Sequence, residues 1–148
     1  MQRKIVPDVI SEQDIAAVKT GASALDAAEL MASANIAAVI VTDDNDRLIG
    51  IVTERDLTRQ VVAKGLTPAE VKIGDIMTKN PDTLEPNDSA VDALKLMQTR
   101  KYRHLPVVIN NKCVGMVSIR DLYSSVMDAI QEDMRETEAF VFGDRYGA

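Results

Sequence analysis

One cysteine, Cys113, and one histidine, His104, are all that 148 residues contain of either type. A single cysteine excludes a disulfide framework within the chain. Its place in an apolar stretch suits a reducing compartment. A single histidine gives little support to a metal cluster or a histidine relay, and no metal-ligand set or catalytic residue emerges. No phosphate loop of the Gly-x4-Gly-Lys-Ser/Thr type occurs. Asp43, Asp44 and Asp46 read as residues that solvate a turn, not as the metal-binding group of a nucleotide hydrolase, so the chain reads as a non-enzyme. Basic charge is also short. Lys and Arg number 17 against 23 acids, giving a net charge of −6 and a pI near 4.8. That excludes a general nucleic-acid surface, which needs a basic face, but not a small anionic ligand, which answers to local charge. No run of ~18 apolar residues occurs, the longest strong run being Ile36 to Val41. The stretch from Met1 to Pro7 has no apolar segment of signal length. A cytoplasmic protein with no membrane partner is expected.

What the chain has is a hydrophobic content of 46% with 27% charged residues, a globular balance, and a passage written twice. Gly50, Val52, Thr53, Arg55, Asp56 and Leu57 recur as Gly115, Val117, Ser118, Arg120, Asp121 and Leu122 at a uniform offset of 65. In both copies a short apolar run ends at a hydroxyl residue and a helix-like stretch follows. Such a corner gathers free backbone N–H groups, which favours an anion.

Taken in order, Asp8-Val-Ile-Ser11 opens the first half and Asp75-Ile-Met-Thr78 the second. Ile15 to Val18 reads as a strand, matched near Thr83 to Glu85. Ser23-x-x-Asp26 and Ser89-x-x-Asp92 resemble capping boxes and predict helix starts. The helices are expected to bury Leu25, Ala28, Met31 and Ala32 in one copy and Val91, Leu94 and Met97 in the other. Met31 and Met97 read as plain core. Ala37 to Val41 and Leu105 to Ile109 read as strands, returning over Leu48 to Val52 and Cys113 to Val117. Asn110-Asn111 predicts a tight hairpin. The first hairpin is expected to carry two extra residues, because the strand offset before it is read as 67. Gly65 marks a helix end. The last helix is expected to be long, with Leu122, Val126, Ala129, Ile130 and Met134 at helical spacing. Phe140, Val141 and Phe142 then form an apolar patch near a glycine-containing tail. That stripe suits a contact with the chain's own body or a second subunit better than an anionic membrane.

The corners admit two readings. Thr53-x-x-Asp56 and Ser118-x-x-Asp121 fit helix caps with Asp in the usual Glu position. They also fit a ligand site, with a preceding glycine that permits close approach. Both hold together if the hydroxyl caps the helix in the free state and meets a phosphate in the bound one.

With Tyr102-Arg-His-Leu-Pro106-Val-Val added, the duplicated corners and openings resemble a pair of CBS domains, the family named for cystathionine β-synthase, over residues 6 to 132. The resemblance implies an α/β (α+β) fold of two tandem βαββα units packed through their sheets with pseudo-two-fold symmetry. They would span residues 6–66 and 67–132, with a linker at 67–74 and a helical extension and tail at 133–148. It implies adenosine-containing ligands (AMP, ADP, ATP, NAD or S-adenosylmethionine) held in clefts between the units as regulators, with no cofactor required. It also implies homodimers formed through the helices. Asp56 and Asp121 would accept from ribose hydroxyls, Tyr102 would stack on adenine, and Arg103 and His104 would meet phosphate. One cleft would combine Thr53, Arg55 and Asp56 with Met77, Thr78, Tyr102, Arg103 and His104. The other would combine Ser118, Arg120 and Asp121 with Ile36 and Ala37, which can pack on a base but cannot neutralise a phosphate. The first cleft is therefore expected to dominate for phosphorylated ligands. Any regulated target would be a separate protein. The alternative is a pair with vestigial clefts that serves as a dimerising scaffold.

Overall fold

The computed structural model describes the backbone of residues 2–11 and 13–146, and side chains as far as residue 141. Its contacts divide the chain into two compact units that interleave in sequence. One is Glu12–Thr83 with Leu105–Met116; the other is Met1–Ser11, Leu84–His104 and Val117–Ala148.

The first unit is built on a four-stranded sheet of order β1-β2-β3-β4. Its strands are β1 (Ala17–Lys19), β2 (Ala38–Thr42), β3 (Leu48–Thr53) and β4 (Thr78–Lys79). β1 runs parallel to β2, as the intervening helix α1 (Ala24–Ala34) allows, and the other pairs are antiparallel. β2 is buried along its whole length, as the apolar run Ala38 to Val41 predicts, and it ends in a buried Thr42. Val39, Val41 and Val52 form the core with Ala27, Met31 and Ile73, the last from the short helix α3 (Ile73–Ile76).

The Ser23 cap forms in full: the Asp26 N–H donates to Ser23 Oγ (3.0 Å) and the Ser23 N–H to Asp26 Oδ2 (2.9 Å). The buried face of the helix, however, is Ala24, Ala27 and Met31; Leu25 and Ala32 are exposed and Ala28 half-buried. Met31 is buried as expected, but Leu25, Ala28 and Ala32 of the expected stripe each lie one residue past a buried position. Small residues let the helix axis approach the sheet, so the alanines line the contact and Leu25 is turned outward. The first strand also starts two residues later than expected and ends one later, because pairing with Ile40 to Thr42 fixes it at Ala17 to Lys19.

The hairpin between β2 and β3 turns on Asp43, whose Oδ1 accepts from the Asn45 and Arg47 N–H groups, each at 2.9 Å. These bonds, led by that to Arg47, hold the carboxyl below its ordinary range. The Lys19 ammonium donates to Thr42 Oγ1, the Asp43 carbonyl and Asp46 Oδ1 at 3.0, 2.6 and 3.0 Å. After β3, helix α2 (Glu54–Leu57) continues as a π-helical turn over Thr58–Val62. It stops at Gly65, where φ is +67° and the Leu66 N–H reaches back to the Val61 carbonyl at 3.0 Å.

In the second unit α4 (Ala90–Arg100) packs on α5 (Ile119–Tyr146), with the N-terminal turn Ile5–Val9 against α5. Ile5, Ala90, Ala93, Met97, Val117 and Leu122 are buried there. Ser89 caps α4 by accepting from the Asp92 N–H at 3.0 Å, and Ser89 pairs with Lys4 in an isolated bridge. The phase correction repeats: Val91 is exposed and Leu94 half-buried, while Ala90, Ala93 and Met97 face inward. The strand expected near Thr83 to Glu85 is reduced to a bridge residue at Leu84.

Strands β5 (His104–Ile109) and β6 (Lys112–Ser118) form a two-stranded hairpin whose tip belongs to the first unit and whose roots belong to the second. Asn110 and Asn111 have φ of +52° and +63°, the pair of left-handed residues that a two-residue turn requires. α5 is one helix through Tyr146, so it replaces the expected tail as far as that residue. Phe140 and Val141 are exposed; the Phe142 side chain lies outside the described residues.

Candidate nucleotide-binding corners

β3 ends at Thr53 and α2 begins at the next residue, so the corner is a strand that runs directly into a helix. Both halves of the cap are made. The Asp56 N–H donates to Thr53 Oγ1 (3.3 Å), and the Thr53 N–H donates to Asp56 Oδ2 (2.9 Å). The Thr53 hydroxyl donates to the same oxygen (3.1 Å). All three bonds from Thr53 and Asp56 to each other leave Asp56 Oδ1 outside the cap. Thr53 and Asp56 are half-buried and Arg55 is exposed.

Ala37 is held to this corner by its carbonyl, which accepts from the Glu54 N–H at 2.9 Å, while Ala38 pairs with Thr53 across the sheet. Ile36 packs, half-buried, against the core of the same unit. β4 brings Met77 and Thr78 alongside, since Thr78 pairs with Ile51 and Lys79 with Gly50. A Cβ on Gly50 would stand 2.5 Å from Met77 Sδ and 3.1 Å from the Thr78 carbonyl oxygen. What approaches Gly50 is thus Met77 and the β4 backbone. Seven of the proposed residues therefore share the first unit: Ile36, Ala37, Thr53, Arg55, Asp56, Met77 and Thr78.

The other six, Tyr102, Arg103, His104, Ser118, Arg120 and Asp121, share the second unit. The Ser118 N–H donates to Asp121 Oδ2 and the Asp121 N–H to Ser118 Oγ, both at 3.1 Å. Asp121 and Arg120 are exposed and Ser118 half-buried. The Arg103 carbonyl accepts from the Ile119 N–H at 2.8 Å, as Ala37 does from Glu54. Before it, Lys101 ends α4 with φ +61°, and the Tyr102 N–H donates to the Met97 carbonyl at 3.0 Å. Asn35 (φ +54°) and Ile36, bonded to the Met31 carbonyl at 3.0 Å, repeat that cap.

These bonds correct the alignment of the repeats. Ile36 corresponds to Tyr102 and Ala37 to Arg103, an offset of 66 and not 67. The first hairpin therefore carries one extra residue and not two. The turn accommodates it: the Asp43 N–H donates to the Arg47 carbonyl at 3.0 Å across three residues, where the second hairpin turns on two, Asn110 and Asn111; a β-bulge follows, Val41 facing Gly50 while Thr42 faces Leu48. Identity alone could not place the gap, because several apolar residues of the strand fit either offset.

Burial pushes the Cys113 thiol up, and its Sγ donates to the Gly115 carbonyl at 3.1 Å, so it is held as a thiol. Among the described residues no group of three or more His, Cys, Asp or Glu is arranged to hold a metal, and no helix is long and apolar enough to cross a membrane.

The family profile described as CBS domain matches residues 6–63 and again 73–128. The chain is 33% identical over 122 residues to the mitochondrial CBS domain-containing protein CBSX3 of Arabidopsis thaliana, covering 80% of this chain and 59% of that one. Of the longer plant protein CBSCBSPB2 it spans 20%. A CBS-domain containing protein from Agrobacterium tumefaciens superposes with a TM-score of 0.71 at 31% identity, over 76% of this chain and 84% of that one. CBSX2, solved in complex with AMP, gives 0.70 at 26% identity, over 86% and 98%. With two matched copies covering most of its length, the chain belongs to the CBS-domain family.

Proposed function

We propose that this chain is a regulatory, non-enzymatic module that binds an adenosine-containing ligand (AMP, ADP, ATP or NAD) and signals its presence to a separate protein. The functional repeats are residues 6–66 and 67–132. The observation that carries the reading is the pair of equivalent corners, in which one carboxylate oxygen holds the cap while the other stays outside it. A carboxylate so fixed is preorganised to accept from ribose hydroxyls, and a charged acceptor makes the stronger bond. The AMP complex of CBSX2 supports the same ligand class. Asp56 is half-buried and Asp121 exposed, so the Thr53 corner is the stronger of the two. We further propose a cytoplasmic homodimer associating through helices.

The self-contained caps favour one alternative, a dimerising scaffold whose corners serve only to start helices. A thermal-shift series separates the two. A nucleotide at a hundred times its dissociation constant adds about 2.7 kcal/mol to the native state, which at this chain length raises the midpoint by roughly 5–10 °C. Adenosine ligands raising the midpoint, with a guanosine control inert, supports the sensor. No shift with any of them, in nucleotide-free protein, rejects it.

A further inference from the structure

The family match ends at residue 128, but α5 runs on to Tyr146. From Ile130 to Val141 every residue of it is exposed. Leu122, Ser125 and Ala129 are buried against its own unit, and Glu132 on the same side pairs with Arg3 at 2.8 Å. The far side of the helix carries a second apolar line of exposed residues, Tyr123, Met127, Ile130, Met134 and Val141. With Thr137 these recur at alternating intervals of four and three. At 3.6 residues per turn they fall within an arc of about 80°, centred about 140° round the helix from the buried face. The unit's own packing therefore leaves this seam uncovered. Alternating four-three spacing kept over five turns is the pattern of a helix that pairs lengthwise with another helix.

The residues that flank the seam decide which helix fits. On one side they are Val126, Asp133 and Phe140, and on the other Ser124, Gln131 and Glu138. Consider an antiparallel second copy of α5 with the two-fold axis level with Glu132. Ile130 then meets Met134, Met127 meets Thr137 and Tyr123 meets Val141, so every seam residue meets a seam residue. Val126 lies beside Phe140 of the second copy and widens the apolar contact. Glu138 faces the uncharged Ser124, and Gln131 faces its own copy, where two amides can each donate and accept. Asp133, which has an interaction of its own within the chain, falls beside the axis against its copy, the single like-charged pair among these flanks. A parallel copy sets Val126 against Gln131 and leaves Phe140 without an apolar counterpart.

We infer that the α5 seam from Tyr123 to Val141 pairs antiparallel with the same seam of a second copy of this chain. The pairing rests on the homodimer proposed above and names a surface that joins it. An overlap about 28 Å long and about 10 Å wide covers less than the roughly 800 Å² per partner of a stable interface. The seam thus extends other helical contacts of the homodimer. The two methionines adapt their flexible side chains to the facing residues. None of the thirteen candidate nucleotide residues lies in the seam.

Sedimentation equilibrium of the full chain reads the dimer. Ile130→Ser and Met134→Ser should each raise its dissociation constant about tenfold or more, since each lost contact occurs twice about the axis. Ile109→Ser, an exposed change on the β5–β6 hairpin, should leave it unchanged. Both seam positions are exposed, so the single chain folds in either variant. Orientation is read by combining Tyr123→Cys and Val141→Cys in a Cys113→Ser background and adding a short bis-maleimide. The double variant should give covalent dimers. Either cysteine alone should not, because each then lies about 27 Å from its own copy. A dimer that survives both serine changes, a double variant that does not link, or a Val141→Cys chain that links to itself as readily overturns the inference and leaves the homodimer standing. A parent chain that is monomeric at every concentration overturns both.

Discussion

Replacing Gly50 by alanine tests how the candidate site is assembled. The new methyl would stand 2.5 Å from Met77 Sδ, 3.1 Å from Met77 Cγ and 3.1 Å from the Thr78 carbonyl oxygen. The sulfur lies near the end of a flexible side chain and can swing away, but the carbonyl belongs to β4, which is paired at this point through Gly50 and Ile51. Overpacking of this kind costs about 1–3 kcal/mol. Removing a strand glycine returns about 0.5–1 kcal/mol through the unfolded chain. The net expectation is a loss of about 1 kcal/mol, or roughly 2–4 °C in the unfolding midpoint. A double-mutant cycle with Met77→Ala isolates the contact. If the clash with Met77 is the cause, Gly50→Ala costs less in the Met77→Ala background, by about 0.5 kcal/mol or more. Urea unfolding of the four proteins supplies the numbers. Gly50→Ala as stable as the parent would refute the reasoning, and additivity with Met77→Ala would assign the cost to the Thr78 carbonyl alone.

Three further outcomes are expected. Met31→Ala, which empties a buried site, should cost about 2–5 kcal/mol, while Leu25→Ala should cost under about 1 kcal/mol; a cost at Leu25 as large as at Met31 would show that Leu25 faces the core, against the observed phase. Ser89→Ala should lose about 1 kcal/mol with the cap of α4, read as a fall of a few degrees in midpoint. Asp43, held below its ordinary carboxyl range in the folded chain, contributes stability that is full above that range and fades as pH falls through the lowered value. Asp43→Asn should therefore destabilise at neutral pH and converge on the parent in acid, as followed by urea midpoints against pH.

Much of the fold was legible because its signals are local. Ser23 and Ser89 announced helix starts through hydrogen bonds that span three residues, and Asn110-Asn111 announced a turn through backbone preference. The duplication supplied the order of elements. Features that depend on what packs against what escaped. Alanine rather than leucine faces the sheet in α1 because the helix lies close, and no hydrophobicity pattern records that distance. The repeat offset of 66 became visible only through the bonds from Ile36 and Tyr102 to their preceding helices, since several strand residues fit either offset. At the corners, Thr53-x-x-Asp56 and Ser118-x-x-Asp121 were legible as caps and as ligand motifs alike. The fit of Met77 against Gly50 was not, because Gly50 lies on β3 and Met77 between α3 and β4, far apart in the chain. The interleaving of the compact units likewise arises from long-range contacts that no stretch of sequence states.

The central claim is that the Asp56 carboxylate serves a ligand as well as its helix. Titration calorimetry of nucleotide-free protein with AMP addresses it directly, using the parent, Asp56→Ala and Asp121→Ala. A hydrogen bond to a charged group is worth about 1.5–3 kcal/mol, so Asp56→Ala should weaken AMP binding by roughly ten- to a hundredfold. Asp121→Ala should weaken it less. No heat of binding from the parent, or an Asp56→Ala variant that binds AMP as the parent does, would contradict the account.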